Sequence, residues 1–504
     1  MENASRMILS KNAALMIVCV LLPLYGMSQE AKLAEDPYEV NKIDYQQEAD
    51  QPWINRSPEE LRLWAKENLH HKLTAKKVID AGAHPEWDWF REVGLGLFIH
   101  WGLPSANPGS GDAWSIIWSE KKEKANRYME PAEKMFAVAE TWNPNKYNPD
   151  KWLEAAKRAG FGYSVLTTRH HDGYALWPSE YGGWDTGEYM DGRDLVKEYV
   201  DASRKHKMRV GFYYSGPNWH SDYKKRDFGF PENEGYSVNY KHEKVDKDLN
   251  LIPTMRSAGP DEDRESKGQV RELMSNYGSI DVIWWDGRVA MKEEELRPMQ
   301  PKVFVARGNI ATPEGKHQAT SENLKVTNES GWWWEQCRKA ENTATPNWHY
   351  GVESENNHWG TNTLLTELIR CRALGGNLLV NIPPRGNGEM MDWFYEVCEE
   401  MEGWMKHSQE AVYGVNLDAP LPTLDQTTNY TTKKDNVFYT LPTIKNMIAI
   451  KEIDAPISIT LLRTGENLKY TYLEQERTIS VKVPEALTTD LPDIVKIVFE
   501  KKND

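Results

Sequence analysis

The chain has 504 residues, of which 39% are hydrophobic and 27% charged, and its mean hydropathy is -0.70. This composition excludes a membrane protein with many spans and a wholly disordered chain, and the length predicts one large domain with at least one smaller module. The net charge of -15 argues against nucleic acid as the partner, because phosphate binding needs a surplus of Lys and Arg. The 21 Trp against 11 Phe mildly favour carbohydrate, because an indole face stacks on sugar rings.

The amino-terminal segment has the organisation of a secretory signal peptide. Arg6 and Lys11 precede an apolar run over residues 13–25, and small residues follow before Gln29. The run is too short to span a membrane comfortably, so we predict that residues 1–28 are removed. The mature protein is then expected to be secreted, in the periplasm or outside the cell, without membrane contact. A retained amino-terminal anchor is the alternative.

Motifs for metals and cofactors are missing from the sequence. After cleavage three scattered cysteines would remain, Cys337, Cys371 and Cys398, which form neither a disulfide framework nor a zinc pattern. No GxGxxG follows a predicted strand, and no P-loop occurs. We therefore predict no cofactor.

Between residues 85 and 406, short apolar runs alternate with stretches of helical periodicity. The runs cover 94–102, 162–173, 208–215, 280–287, 302–307 and 376–384. The helical stretches cover 149–160, 193–207, 265–277, 362–374 and 389–406. Apolar strands buried on both faces are typical of parallel sheets, so the pattern predicts an α/β fold, a (β/α)8-like TIM barrel. A doubly wound sheet is the alternative.

Two further segments flank this domain. Residues 29–84 are predicted to form an N-terminal helical extension. Residues 407–504 change to short alternating stretches separated by turn residues, which predicts a C-terminal antiparallel β-sandwich. Within the barrel, about 216–264 and about 308–334 are predicted to be long polar loops that build the rim of a pocket.

The predicted strands end in polar or titratable groups, which meet at one mouth if the domain is a barrel. In chain order these are His100, His170 with His171, Tyr213 or Tyr214, Asp286, Arg307 and Asn381. Asp286 follows the apolar run IDVIWW, so its carboxylate is expected to be partly desolvated and held by rigid backbone. Such a group suits a nucleophile or general base, whereas a helix cap is the alternative.

Adjacent His170 and His171 raise the question of a metal site. Neighbouring strand residues point to opposite faces, so both could reach one ion only if the strand has ended before them. No third histidine or carboxylate is spaced as a metallohydrolase requires. We therefore expect the two histidines to donate hydrogen bonds to substrate hydroxyls and predict no metal. His100, beside Trp101 at a strand end, is interpreted as a sugar contact together with that tryptophan.

Cleavage of a glycoside would need a second carboxylic acid to protonate the leaving oxygen. The candidates in the loop after Arg307 are Glu314, Glu322, Glu329, Glu335 and Glu341. Glu335, in WWWEQC, follows three tryptophans that would raise its pKa by desolvation. Glu322 is the main rival, and the spacing leaves both open.

Seven blocks in this order resemble the α-L-fucosidases of glycoside hydrolase family 29. They are WFREVGLGLFIHWGLPS, SVLTTRHHDGYALWPSEYGGWDT, GRDLVKEY, VGFYYS, DVIWWDG, WEQC followed by NWHYG, and GGNLLVNIPP. The resemblance covers about residues 85–415. It implies a (β/α)8-like barrel with a C-terminal β-sandwich, no metal, and hydrolysis of terminal α-L-fucose with retention. The partner would then be a fucosylated oligosaccharide or polysaccharide.

The resemblance also implies roles for individual residues. Asp286 matches the nucleophile, and Glu335 or Glu322 the acid/base. Arg307 falls where the family often has an arginine near the leaving group. The remaining matches are to fucose contacts, at His100, His170, His171, Tyr213 and Trp284.

One block departs from the family pattern. Where many members carry an EWY carboxylate that binds fucose hydroxyls, this chain reads GDAWSIIW, with only Asp112 nearby. The departure keeps two alternatives open: an α-L-galactosidase or other glycosidase on the same barrel, and a barrel that binds glycans without cleaving them.

Overall fold

The computed structural model describes most of the chain from residue 87 onward. The described ranges are 87–107, 113–116, 132–225, 228–231, 236–238, 244–246, 252–253, 260–287, 289–306, 320–321, 334–341, 348–415, 429–442 and 446–501. The predicted signal peptide, 1–28, and the predicted helical extension, 29–84, lie outside these ranges and stay predictions. Among the described residues, the structure contains no helix long and apolar enough to cross a membrane.

A single sheet of eight parallel strands forms the centre of the larger domain. The strands are β1 (Leu95–Ile99), β2 (Tyr163–Arg169), β3 (Arg209–Ser215), β4 (Val282–Asp286), β5 (Phe304–Ala306), β6 (Thr320–Ser321), β7 (Trp334–Lys339) and β8 (Gly376–Asn381). They pair in the order β6-β7-β8-β1-β2-β3-β4-β5, each parallel to its neighbours. All six predicted runs are strands, and the predicted barrel-like α/β fold is confirmed.

Helices alternate with the strands of this sheet along the chain. They comprise Pro149–Arg158, Leu195–Lys205, Pro260–Asn276, Thr361–Ala373 and Asp392–Ser408, with shorter ones at Asp88–Val93, Leu103–Ala106, Ala132–Ala137, Thr186–Tyr189, Trp219–Lys225 and Glu293–Leu296. Local chemistry sets the helix starts. The Asn148 side chain accepts from Lys151 N at 3.2 Å, and Asp194 accepts from Lys197 N at 2.8 Å, so each satisfies a free N–H of the first turn.

The two regions predicted to be loops contain strands instead. β6 and β7 fall within and directly after 308–334, and β7 reads WEQCRK, whose charges interrupt the apolar run that reveals the other strands. The region 216–264 contributes a separate four-stranded sheet, from Phe228–Pro231, Tyr236–Val238, Lys244–Asp246 and Ile252–Pro253. Strands of two to four residues are too short for alternation to show in the sequence.

Aromatic rings fill the inside of the barrel. Phe90, from the helix before β1, stacks on Phe304 at the start of β5, with centroids 4.3 Å apart, and closes the amino-terminal end. Above them the ring of Tyr163 crosses the interior next to Gly96, where a Cβ would lie 2.2 Å from that ring. A glycine is required there because any side chain would clash with the phenol. The interior is therefore a packed core, and only the carboxyl-terminal end of the strands is left for a site.

The carboxyl-terminal module consists of two antiparallel sheets. Its strands are β9 (Asn429–Lys434), β10 (Val437–Pro442), β11 (Met447–Ile450), β12 (Ser458–Leu461), β13 (Tyr470–Leu473), β14 (Thr478–Lys482) and β15 (Val495–Val498). They pair in the orders β9-β10-β15-β12 and β11-β14-β13. Alternate residues of both sheets, among them Ile448, Ile459, Ile479 and Ile497, form one buried cluster, as in a β-sandwich.

The module is joined to the barrel by buried hydrogen bonds. Trp404 Nε1 donates to Pro492 O at 2.8 Å, and Thr432 Oγ1 donates to Ala411 O at 2.7 Å. The last barrel helix ends at Ser408, two residues beyond the predicted boundary at 406. These contacts fix the module on the outside of the barrel, through the helix that precedes it.

Candidate active site

Asp286 ends β4, where the chain turns at Gly287, whose φ of 64° suits a residue without a Cβ. Its carboxylate is held at both oxygens: Gly287 N donates to Oδ1 and the Tyr213 hydroxyl donates to Oδ2, each at 2.8 Å. The residue is 9% exposed. A partly desolvated carboxylate with two fixed donors is preorganised for one direction of attack. The next described helix begins at Glu293, so Asp286 does not cap it.

His171 lies next to this carboxylate. Its Nε2 lies 3.5 Å from Asp286 Oδ2, and its Nδ1 lies 2.6 Å from Ser215 Oγ, at the end of β3. The ring packs on Trp219, with centroids 4.6 Å apart. The Ser215 hydroxyl also lies within donating distance of Pro217 O, at 3.3 Å, so the serine fixes the position of the ring and not its tautomer.

His100 is fixed by the neighbouring strand. Its Nδ1 lies 2.7 Å from Asn381 Oδ1, and Asn381 Nδ2 donates to Trp348 O at 2.8 Å. Because that amide nitrogen is the donor to Trp348, the amide oxygen accepts, and the proton of His100 sits on Nδ1. Nε2 of a neutral His100 is then an acceptor, as a sugar hydroxyl requires.

His170 brings these groups into one cluster. Its ring stacks on Tyr213, with centroids 5.3 Å apart and planes 7° from parallel, and its centroid lies 4.3 Å from that of His171 and 5.7 Å from that of His100. The structure thus assembles His100, His170, His171, Tyr213 and Asp286, five of the residues that the sequence predicted to share a site.

Two residues of the cluster were not singled out from the sequence. The buried His349 has its ring 4.6 Å from that of His170, and Asp172 follows the histidine pair. Burial raises the pKa of Asp172 to about 6, while His349 nearby opposes the shift, and Tyr174 N donates to its carboxylate at 3.2 Å. The blocks HHDG and NWHYG contain both residues, but Asp172 stands at the polar end of the run 162–173, and His349 lies in none of the predicted runs.

The histidine pair also has the geometry of a possible cation site. One ligand atom each from His170, His171 and Asp286 lie within 4.8 Å of one another, in the described part of the chain. Both histidines can reach one ion because the pair follows β2, which ends at Arg169. The absence of a metal stays a prediction.

Glu335 lies elsewhere than the sequence suggested. It is the second residue of β7, 1% exposed, and accepts hydrogen bonds from the Tyr163 hydroxyl and, at 3.3 Å, from Trp284 Nε1. Lys339, the last residue of β7, is four positions further along the strand, about 13 Å away at ~3.3 Å per residue. The pKa of Glu335 is raised to about 7 by burial, in the expected direction. However, a carboxyl buried below the mouth is not placed to protonate a leaving group, so the structure argues against Glu335 as acid/base.

Trp284 occupies the layer between Glu335 and the mouth. Its ring stacks on Tyr213, with centroids 5.5 Å apart, and lies against Phe98 at 5.0 Å. The indole N–H is directed to Glu335. Its polar edge is thus engaged within the barrel, and the predicted fucose contact can involve only the ring.

Trp101 was predicted as a sugar contact, but the structure places it outside the barrel. Its ring stacks on Tyr147 at 4.5 Å within a cluster that includes Trp142 and Trp152, and Nε1 donates to Arg385 O at 2.9 Å. The reason is local: His100 points into the barrel, where Asn381 holds its ring, whereas Trp101 N donates to Thr167 Oγ1 at 2.9 Å and its ring turns to the other side. Trp101 is therefore a core residue between the sheet and its outer layer.

Several predicted site residues lie outside the described ranges. They are Asp112, Arg307 and Glu322, together with the other loop candidates Glu314 and Glu329. Glu341, the remaining candidate, follows β7 near the mouth. Its carboxylate lies 3.8 Å from Lys339 Nζ and accepts from Ser354 Oγ at 3.4 Å, so it serves local structure.

A parallel barrel with a carboxylate and histidines at the carboxyl ends of its strands has the arrangement of a TIM-barrel hydrolase. The family described as "Alpha-L-fucosidase" matches residues 65–410. The chain therefore belongs to the alpha-L-fucosidase family, glycoside hydrolase family 29, and is a glycoside hydrolase with that class of activity. The resemblance of the sequence blocks is confirmed.

Individual relatives agree with this assignment. The plasma alpha-L-fucosidase of Homo sapiens is 26% identical over 437 residues, which cover 80% of this chain and 87% of the relative. The structure of alpha-L-fucosidase isoenzyme 1 from Paenibacillus thiaminolyticus is similar, with a TM-score of 0.65 and 25% identity over 82% of this chain and 99% of that one. A Bacteroides thetaiotaomicron family 29 alpha-L-fucosidase, solved as a trapped covalent intermediate with 2-fluoro-fucosyl fluoride, shares the fold at a TM-score of 0.65 and 21% identity, over 84% of this chain and 98% of that one.

Proposed function

We propose that this protein is a secreted retaining exo-α-L-fucosidase, which releases terminal α-L-fucose from fucosylated oligosaccharides or polysaccharides. The observation that carries the proposal is the carboxylate of Asp286, held by the Tyr213 hydroxyl and the Gly287 amide at the end of β4. The trapped covalent intermediate of the Bacteroides relative supports retention by the same route.

In the first step an oxygen of Asp286 attacks the anomeric carbon. The carbon–oxygen bond to the leaving group breaks, and a carboxylic acid gives that oxygen its proton, so that a fucosyl ester of Asp286 forms. In the second step the same acid, now a carboxylate, takes a proton from water, whose oxygen attacks the anomeric carbon and releases fucose. Tyr213 and Gly287 stabilise the Asp286 carboxylate each time it is set free.

We assign the acid/base role to Glu322, since Glu335 is enclosed below the mouth and Glu341 is bonded to Lys339 and Ser354. The resemblance of the loop position supports this assignment. Replacement by Gln tests it. Glu322→Gln should slow the hydrolysis of glycans with poor leaving groups far more than the hydrolysis of 4-nitrophenyl α-L-fucoside, because 4-nitrophenolate leaves without protonation. Glu341→Gln is the matched control, and a loss of the same pattern there would move the role to Glu341.

The three histidines are proposed as contacts for the sugar hydroxyls, with His100 accepting at Nε2. Asp112 and Arg307 are proposed to complete the pocket and the leaving-group side, on the resemblance alone. Secretion after removal of residues 1–28 rests on the sequence of that segment. Amino-terminal sequencing of the mature protein from culture tests it, and a protein that still begins at Met1 would contradict it.

The initial rate on 4-nitrophenyl α-L-fucoside tests the activity, for the wild type and for Asp286→Ala with and without azide. We expect rapid release by the wild type, loss in the variant, and partial recovery with azide as a fucosyl azide. Parallel assays with 4-nitrophenyl α-L-galactoside cover the sugar that differs by one hydroxyl at C6. Faster release from the galactoside would indicate that L-galactose, and not L-fucose, is the substrate sugar. Binding of glycans without release would indicate a glycan-binding barrel that is not an enzyme.

A further inference from the structure

Glu335 is a buried acidic residue to which the proposed mechanism gives no role. Its carboxylate accepts from two groups in the described structure, the Tyr163 hydroxyl at Oε2 and Trp284 Nε1 at Oε1. Burying a carboxyl inside a barrel costs free energy that an apolar side chain of similar size would not cost. A charged or acidic residue at this depth therefore calls for a reason beyond packing.

The contacts lead from Glu335 to the nucleophile through two rings. Trp284, whose N–H is bound by Glu335, stacks on Tyr213 with planes 22° apart. Tyr213 in turn donates its hydroxyl to Asp286 Oδ2 at 2.8 Å. A displacement of the indole would shift the phenol that rests on it, and with it the hydrogen bond to the carboxylate.

The indole has one polar atom, which can only donate. Trp284 is 1% exposed, so its N–H needs an acceptor inside the barrel. Glu335 supplies that acceptor and is held in turn by Tyr163, whose ring fits beside Gly96. The rotation of the indole is thereby fixed from below.

We infer that Glu335 is a positioning residue, which orients Trp284 and through it Tyr213 and Asp286, an inference that rests on the proposed function. The residue touches neither the substrate nor the reacting atoms. Loss of Glu335 should therefore lower kcat through a displaced Trp284. A residue at position 335 that still offers an acceptor to the indole N–H should keep kcat near the wild-type value.

Four single substitutions and one double variant separate positioning from packing. Glu335→Leu removes the acceptor and should lower kcat for 4-nitrophenyl α-L-fucoside by about tenfold or more, whereas Glu335→Gln keeps an amide acceptor and should stay within about threefold of the wild type. Trp284→Phe removes the indole N–H, so the double variant Trp284→Phe/Glu335→Leu should have a kcat only slightly below that of Trp284→Phe. Leu379→Ala, which opens a cavity in the same interior cluster, should lower Tm and leave kcat near the wild type.

Wild-type kcat in Glu335→Leu, or losses that add fully in the double variant, would overturn the inference. A spectrum of [15N]tryptophan-labelled protein provides a readout that does not depend on turnover. The Trp284 indole signal, identified by its loss in Trp284→Phe, should move in Glu335→Leu and stay in Glu335→Gln. An inactive wild type would refute the proposed function alone, whereas an unmoved indole signal would refute the role of Glu335.

Discussion

Replacing Glu335 by Gln should stabilise the protein at alkaline pH and have a much smaller effect at acidic pH. The pKa of this fully enclosed carboxyl is raised from 4.5 to about 7 by burial. Between these values the folded protein keeps a proton that the unfolded chain has lost. The folding free energy therefore becomes less favourable as the pH rises from 4.5, and the full cost is present above pH 7.

The size of the effect follows from the two pKa values. Their difference corresponds to about 3 kcal/mol, at about 1.4 kcal/mol per pKa unit. About 2–3 kcal/mol of it develops between pH 5 and pH 8. For 504 residues at about 2.1 cal/mol/K each, this is a change of about 2 °C in Tm. Gln has no proton to lose, so the variant lacks this cost.

The assay is thermal unfolding of the wild type and Glu335→Gln at pH 5 and pH 8. We expect the Tm of the variant relative to the wild type to rise by about 2 °C between the two pH values. Glu341→Gln is the matched control, since that carboxylate is bonded to Lys339 and Ser354, and its relative Tm should not rise. If the Tm of Glu335→Gln differs from the wild-type Tm by the same amount at both pH values, burial does not raise the pKa of Glu335 as described.

Three further predictions concern the site and its surroundings. Tyr213→Phe removes the hydrogen bond to the charged Asp286, worth about 1.5–3 kcal/mol, so kcat/KM should fall by about 10- to 150-fold. A fall of less than about threefold would contradict the role of this hydroxyl. Trp101→Phe should lower Tm without changing KM for the fucoside, because the ring packs outside the barrel. A raised KM at unchanged Tm would instead indicate that Trp101 contacts the sugar. Prolonged treatment with EDTA should leave the rate unchanged. A loss restored by one divalent metal would contradict the prediction of no metal and would make His170, His171 and Asp286 the first ligands to test.

The sequence predicts the barrel well because its strands are buried on both faces. Residues 95–99, 210–214 and 282–285 are apolar without interruption, and each stretch is followed by a polar residue at the point where the strand ends. This regularity locates the mouth and brings Asp286 and the histidines together before any coordinates are known. β7 is missed because its inward-facing positions include a glutamate, so the apolar run is broken.

The errors at individual residues have geometric causes. Three tryptophans beside Glu335 indicate burial, and the raised pKa agrees, but composition does not tell which end of a strand a carboxyl occupies. His100 and Trp101 are neighbours just beyond β1, but only His100 points into the barrel. Asn381 was seen as a strand end, yet its hydrogen bond to His100 links strands that are 281 residues apart in sequence.

The most direct test of the account is the site of covalent labelling. The protein would be incubated with 2-fluoro-fucosyl fluoride, which leaves a slowly hydrolysed ester on the nucleophile of a retaining enzyme, then digested and analysed by tandem mass spectrometry. We predict one fucosyl label, on Asp286, and no label on Asp286→Ala. A label on another carboxylate, or none from a wild type that hydrolyses the fucoside, would contradict the central claim.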